Sequence, residues 1–367
     1  MTMPNDLPQG HFFLPGPTEV HPDVLSAQTR AMIGHRGRDI QELLSKLQEG
    51  LKEVFVTKRP VIISTSSATG LMEAAVRNGV GDGKVLSMVN GAFSSRFGEI
   101  SMACGHETEL WAVDWGQLHD PAQLDEKLSH GGYDAVTLSH SETSTGALQD
   151  LEAIARVLTR HQGVMLLVDS VTGMAGTEVR TDDWDLDFVL TGSQKALALP
   201  PGLAFGVASA AMMDRSAVAT NKGYYFDLIP LMKALEGLQT PSTPAISLLY
   251  ALDAQLERIS AEGIENRWSR HSAMQQATAD WVDEMQAEGV DVGVLAPPGH
   301  RSPTVTCLTL PDSHTGPEVV ADMRDRGWII GSGYSRLKES TVRIGHMGDH
   351  RLADLTDLLG VLGEVLR

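Results

Sequence analysis

The sequence predicts an α/β fold: a mainly parallel sheet flanked by helices in a large domain, followed by a smaller α+β C-terminal domain. Three observations predict it. Short apolar runs alternate with amphipathic stretches from Val61 to Leu190, the pattern of parallel βαβ units joined by right-handed crossovers. The clearest run, Val164-Met165-Leu166-Leu167-Val168, is apolar throughout, as expected of a strand covered on both faces. Composition and spacing then change after Gly263, which divides the chain into an arm at 1–21, a large domain at 22–263 and a small domain at 264–367.

The elements follow in order. Three prolines and a glycine between His11 and Pro22 argue for an extended arm with tight turns and no regular element. A helix from Pro22 is broken by Gly34-His35-Arg36-Gly37-Arg38, a basic stretch that suits an anion, a neighbouring subunit or plain solvent equally well. Ile40, Leu43, Leu44, Leu47, Leu51, Val54 and Phe55 recur at helical spacing. Strands are expected at Val61–Ser64, Lys84–Val89, Glu107–Val113, Asp134–Ser139, Gly163–Val168, Leu186–Leu190 and Leu203–Val207. Helices are expected between them at Leu71–Val76, Ser94–Cys104, Asp120–Leu128 with Pro121 at its start, and Leu151–Arg160. Tyr224–Lys233 is mixed, and Thr240–Pro244 is a stiff hydroxyl-bearing turn before two long helices, Ile246–Glu262 and Glu265–Ala287. The small domain has strands near Val305–Leu310 and Trp328–Ile330, a helix near Pro317–Arg326 and a closing helix from Leu352.

Composition excludes several function classes. The chain has 367 residues, with 47 acidic against 29 basic side chains and a formal charge of −18. That balance argues against sequence-independent binding to nucleic acid, and an anionic ligand needs a local site. Two cysteines, Cys104 and Cys307, give neither a disulfide framework nor zinc spacing. His346 and His350 have no acidic metal motif beside them, so no metal is expected. No apolar signal region and no apolar run of about 18 residues is present, so a cytoplasmic protein without a membrane span is expected.

The chemistry gathers at strand ends. Lys195 lies between two buried strands, in Gly192-Ser193-Gln194-Lys195-Ala196-Leu197. Burial disfavours the charged form of an amine and makes it a better nucleophile, one use of which is a Schiff base with an aldehyde cofactor. A surface lysine on a turn is the competing reading. Asp169 follows the apolar run directly, at the sheet's carboxyl edge, where a carboxylate needs a positive partner or donors. It suits either a counter-ion for a protonated ring nitrogen or a loop cap. Thr65-Ser66-Ser67-Ala68-Thr69 leads into a helix N-terminus, a place for a phosphate or an ordinary N-cap. Phe93 sits just past a strand's carboxyl end and can stack on a planar ring or pack in the core. Arg343, between Val342 and Ile344, suits a substrate carboxylate or a structural ion pair.

Together these segments resemble the class V aminotransferases of fold type I, which use pyridoxal 5'-phosphate, with the alanine–glyoxylate and serine–glyoxylate enzymes the nearest in pattern. The likeness rests on Leu14-Pro15-Gly16-Pro17-Thr18, Ala68-Thr69-Gly70-Leu71-Met72-Glu73, Asn90-Gly91, His140–Gly146, Val168-Asp169-Ser170, Gly192–Leu197 and Arg343–Gly348. It implies that Lys195 holds the cofactor as a Schiff base and shuttles the proton, with Asp169 on the ring nitrogen. It implies Phe93 on the ring face and Thr143 near the ring hydroxyl. Ala68, Thr69 and Gln194 would take the phosphate, and Ser242 or Thr243 would reach it from the partner subunit of a homodimer. Relatives with a tyrosine nearby differ from this chain, which has Gln239 there. Arg343 would bind the substrate carboxylate, and Pro15 and Gly16 would close over a small side chain. The implied activity is ping-pong transfer of an amino group from alanine or serine to glyoxylate or pyruvate. Three alternatives stand beside it: a 2-aminoethylphosphonate–pyruvate transaminase, which wants a further basic residue in the pocket; a lyase or desulfurase, which wants a loop cysteine; and a cofactor-binding scaffold without turnover.

Overall fold

The computed structural model describes residues 8–367; the first seven residues of the expected arm lie outside it. The strands are β1 (Phe12–Phe13), β2 (Ile62–Ser64), β3 (Lys84–Val89), β4 (Thr108–Ala112), β5 (Tyr133–Ser139), β6 (Ser141–Glu142), β7 (Ala147–Leu148), β8 (Met165–Asp169), β9 (Phe188–Gly192), β10 (Ala204–Ala208), β11 (Gly293–Val294), β12 (Thr306–Thr309), β13 (Ile329–Ser332) and β14 (Thr341–Ile344). The helices are α1 (Pro22–Ala27), α2 (Arg38–Phe55), α3 (Ala68–Gly79), α4 (Ala92–Ala103), α5 (Pro121–Ser129), α6 (Leu151–Leu158), α7 (Ala210–Val218), α8 (Leu228–Glu236), α9 (Ile246–Glu262), α10 (Ile264–Ala287), α11 (Gly316–Asp325) and α12 (Leu352–Leu366).

A seven-stranded sheet in the order β2-β10-β9-β8-β5-β3-β4 organises the first two thirds of the chain. Its faces are covered by two separate cores, and strand alternation decides which residue goes where. In β8, Leu166 and Val168 face the core that holds Leu44, Leu47 and Leu51 of α2, whereas Met165 and Leu167 face the one that holds Leu71 and Ala75 of α3. A five-stranded sheet, β1-β13-β14-β12-β11, packs with α10, α11 and α12 around a third core that includes Phe13, Met274, Leu308 and Leu358. α9 and α10 are separated by Gly263 at φ +81°.

Four features that the sequence reading did not supply have simple causes. β10 runs antiparallel to both β2 and β9, the exception within a mainly parallel sheet. The link from Gly192 to Ala204 has no helix and is too short for a crossover, so the chain must turn straight back. The polar run His140–Gly146, which has no strand periodicity, contributes to the short hairpin β6–β7. The arm contains a regular element: Phe12 and Phe13 precede the prolines and pair with Ile329 and Ile330 of β13. α7 was not expected, and the mixed segment at 224–233 contains the start of α8, where Asp227 caps the N-terminus by accepting from the Ile229 N–H at 2.9 Å.

A charged cluster ties these parts together. Arg267 of α10, 1 % exposed, donates to Glu262 at 2.8 Å, to Asp349 at 3.0 Å and to the carbonyl of Ala196 at 2.8 Å. Arg270 donates to Glu262 and to the carbonyls of Gly348 and His350. Burial works to raise the Asp349 carboxyl, but Arg267 and Gln255 outweigh it and hold it below its usual value. Replacing Arg267 with Met should therefore destabilise the protein by about 3 kcal/mol, because Asp349 loses its most buried cation and Glu262 is left with Arg270 alone. Denaturant unfolding of the variant against the parent measures it.

Candidate active site

The six mutually parallel strands of the large sheet end on one edge. Ser64, Val89, Ser139, Asp169 and Gly192 close β2, β3, β5, β8 and β9 there, and open α/β sheets bind ligands outside that edge. The loop from Ser193 to Leu203 is pinned by its own hydrogen bonds. Ser193 donates from its N–H to the Leu203 carbonyl at 2.9 Å and from its hydroxyl to the Pro200 carbonyl at 2.8 Å. The Ala198 N–H donates to the Lys195 carbonyl at 2.8 Å. Lys195 is thereby turned inward and is only 7 % exposed.

Its ammonium nitrogen donates to the carbonyl of Pro15. The arm crosses so closely that a Cβ on Gly16 would lie 2.6 Å from the Lys195 side chain, and Gly16 sits at φ +112°. Only glycine fits there. The arm is held from behind by the Gly345 N–H, which donates to the Phe13 carbonyl at 2.8 Å, and by the Thr18 N–H, which donates to the Gln194 carbonyl at 3.0 Å. Burial pushes the Lys195 amine down to about 7, and Arg343 pushes the same way.

Asp169 is buried at the end of β8. Its carboxylate accepts from the Val171 N–H at 2.8 Å and the Ser139 hydroxyl at 3.1 Å. Burial pushes it up to about 6; those two donors and Lys195 restrain the rise. Phe93 stands at the start of α4, with its ring centroid 5.9 Å from the Lys195 nitrogen. Arg343 leans from β14 across the edge, donating to the Ser332 carbonyl at 3.0 Å and the Thr143 carbonyl at 3.3 Å. It has no ion-pair partner among the described residues, so the structural ion pair weighed above is not found. The Thr143 hydroxyl is engaged by that of Thr172.

Ala68 and Gln194 meet over Gly192, where an added Cβ would lie 2.7 Å from the Gln194 amide oxygen and 3.3 Å from the Ala68 methyl. Ala68 and Thr69 open α3, whose N-cap, Ser67, makes no side-chain hydrogen bond to the helix. That leaves first-turn N–H groups facing an anion's natural place. Ser242 and Thr243 are not brought to Lys195 within this chain; they are exposed in a groove shared with Ser64, Thr65 and Tyr225.

The chain belongs to the class V aminotransferases. The family model for class V aminotransferases matches residues 19–345. An uncharacterised aminotransferase of Methanocaldococcus jannaschii is 37 % identical over 91 % of this chain and 87 % of its own length. The serine–glyoxylate aminotransferase of Arabidopsis thaliana is 31 % identical over 97 % and 89 %. A solved alanine–glyoxylate aminotransferase from Nostoc superposes with a TM-score of 0.91 at 28 % identity, covering 100 % of this chain and 98 % of its own. The fold is therefore the type I fold of these enzymes, and the family implies pyridoxal phosphate as cofactor. The buried amine, the carboxylate behind it and the uncapped α3 N-terminus fit that group's aldehyde, ring nitrogen and phosphate.

Some residues of this class V aminotransferase site escaped the sequence reading. Glu142, fully buried, accepts from the N–H of Ser94 at 2.9 Å, the N–H of Phe93 at 3.1 Å and the Ser144 hydroxyl at 2.7 Å. It caps α4 and so aims Phe93. An acid in a run of small hydroxyl residues at a strand end was the available signal. Tyr334 and Arg96 had no signal, because their neighbours come from different sheets. His346 and His350 do not share a helix; their rings bond the Thr306 hydroxyl and the Phe12 carbonyl. Cys307 is buried in β12, which pushes its thiol up to about 11, and Cys104 caps the end of α4. No helix is long and apolar enough to cross a membrane among the described residues.

Only the neutral amine of Lys195 can attack an aldehyde. The rate at which cofactor-free protein captures pyridoxal phosphate should therefore rise with pH through about 7, well below the ordinary lysine range. Arg343→Gln removes a like charge and should move that midpoint upward. Stopped-flow absorbance across a pH series measures both.

Proposed function

We propose that the enzyme transfers an amino group from a small amino acid, alanine or serine, to glyoxylate or pyruvate by ping-pong transamination. One observation carries this: the Lys195 amine is buried without a carboxylate partner, on the edge that also presents Asp169 and Arg343. Pyridoxal phosphate, when bound, supplies an aldehyde carbon for the amino group and a ring that draws electrons from the substrate's α-carbon. Lys195, with its affinity for protons tuned near neutrality, would take the proton from the substrate's α-carbon and return it to the cofactor's former aldehyde carbon, two bonds away across the nitrogen. Asp169 would hold a proton on the ring nitrogen, Phe93 would back the ring with Thr143 beside it, and Ala68, Thr69 and Gln194 would receive the phosphate. Arg343 binds the substrate's α-carboxylate with its planar fork. Pro15 and Gly16 narrow the space over Lys195 and favour short side chains.

We read the active unit as a homodimer, in which Ser242 or Thr243 of one chain completes the phosphate site of the other. Their exposure beside Thr65 supports this. The Gly263 break and the separate five-stranded sheet support the division at 22–263 and 264–367, with the arm at 1–21 joining the second part through β1. The two free cysteines support a cytoplasmic setting.

Lys195→Ala should abolish turnover and the visible absorbance of the lysine-bound cofactor; retention of either refutes the role. Arg343→Ala should raise KM for amino acids about 10- to 100-fold, the loss of one charge-assisted contact, while cofactor content stays high. Steady-state assays with alanine and serine against glyoxylate and pyruvate test both the variant and the substrate assignment.

A further inference from the structure

One cation at the site has no part in this scheme. Arg96, on the second turn of α4, is partly buried. It donates to the Tyr334 hydroxyl at 3.2 Å, and its guanidinium carbon lies 4.8 Å from the centroid of the Phe93 ring. Lys195 approaches that same ring to 5.9 Å. The Tyr334 ring lies 5.2 Å from the Phe93 ring and 5.5 Å from the Arg343 guanidinium. Two guanidiniums thus approach a single tyrosine, one at its hydroxyl and one at its ring, near Lys195. Neither forms an ion pair with a carboxylate among the described residues. A partly buried guanidinium with only neutral partners leaves its desolvation cost uncompensated until an anion arrives.

The donor inventory identifies the anion. The Tyr334 hydroxyl accepts from Arg96 and keeps its own proton to donate. Arg96 and Tyr334 together therefore offer a planar guanidinium and one hydroxyl, a match for the two oxygens of a carboxylate. A phosphonate carries three oxygens and more charge, and calls for more donors than this pair holds. Alanine and serine have a single carboxylate, which Arg343 takes, and leave Arg96 unused. The chain's charge of −18 repels acidic substrates at long range, so a second local cation is what such a substrate would require.

We propose that Arg96 and Tyr334 form a second carboxylate subsite, and that the donors of this enzyme include acidic amino acids. The α-carboxylate lies on Arg343 and the side-chain carboxylate on Arg96 and Tyr334. The proposal rests on the transaminase reading above and extends it to a class of substrate.

The test compares kcat/KM of the holoenzyme for aspartate, glutamate, alanine and 2-aminoethylphosphonate, each with glyoxylate. Turnover of aspartate or glutamate at least equal to that of alanine is expected. Arg96→Gln should lower the ratio of acidic donor to alanine at least tenfold, chiefly through KM, and Tyr334→Phe should lower it less. A ratio unchanged by Arg96→Gln overturns the subsite. Preference for the phosphonate, lost in the same variant, overturns its assignment to a carboxylate. Alanine turnover without any acidic turnover overturns the proposal and leaves the transaminase reading standing; no turnover with any donor overturns both. Inhibition of the parent enzyme serves if a variant fails to fold: succinate should bind at least tenfold more tightly than propionate, and equal binding overturns the subsite.

Discussion

The contact between the Lys195 nitrogen and the Pro15 carbonyl organises the molecule. A lysine amine is easily solvated at a surface and costly to bury. Here the arm lies over it so closely that Gly16 has no room for a side chain. That arm is fastened on both sides: Phe12 and Phe13 pair with β13, and Thr18 bonds the Gln194 carbonyl. The amine is thus shut into a space made by two distant parts of the chain. The same desolvation that makes the site expensive to build lowers the proton affinity of Lys195 to near neutrality.

The neighbours of Lys195 answer to the same desolvation in opposite senses. Burial raises Asp169 while it lowers Lys195, which draws a carboxylate and an amine toward similar proton affinity. Ser139 and the Val171 N–H keep Asp169 from rising further. Arg343, held by two carbonyls and no acid, leaves its charge available to a ligand. Stability is supplied farther away. Arg267 reaches from α10 to the Ala196 carbonyl, one residue from Lys195, and to Asp349 beyond β14. The network therefore fixes the loop that bears Lys195 and the segment following Arg343 in one frame, so the two groups hold their relative position without touching.

Much of this was legible in the residues. The alternation in Met165–Val168 places successive side chains in opposite cores, and an apolar run of that kind has few other uses. Pro121 and Gly263 mark helix ends by local chemistry. Asp169 and Lys195 were visible because a charge next to a buried strand demands an explanation. Glu142 was harder to see: its partners, the N–H groups of Phe93 and Ser94, lie 48 or 49 residues away. Tyr334 and Arg96 are 238 residues apart, and nothing in either local pattern announces the other. The direction of β10 was not legible, because strand spacing alone does not say whether the chain crosses over or turns back.

The sequence by itself determined the class of fold and which polar side chains, Lys195 and Asp169 among them, stand at the ends of buried strands. Those follow from periodicity and from the cost of burying charge, which are local properties. Tertiary structure alone decided how deeply Lys195 is enclosed, which residue aims Phe93, and which second cation faces the site. Each of these is a distance between segments far apart in the chain, and desolvation acts through such distances whatever the order of residues along it.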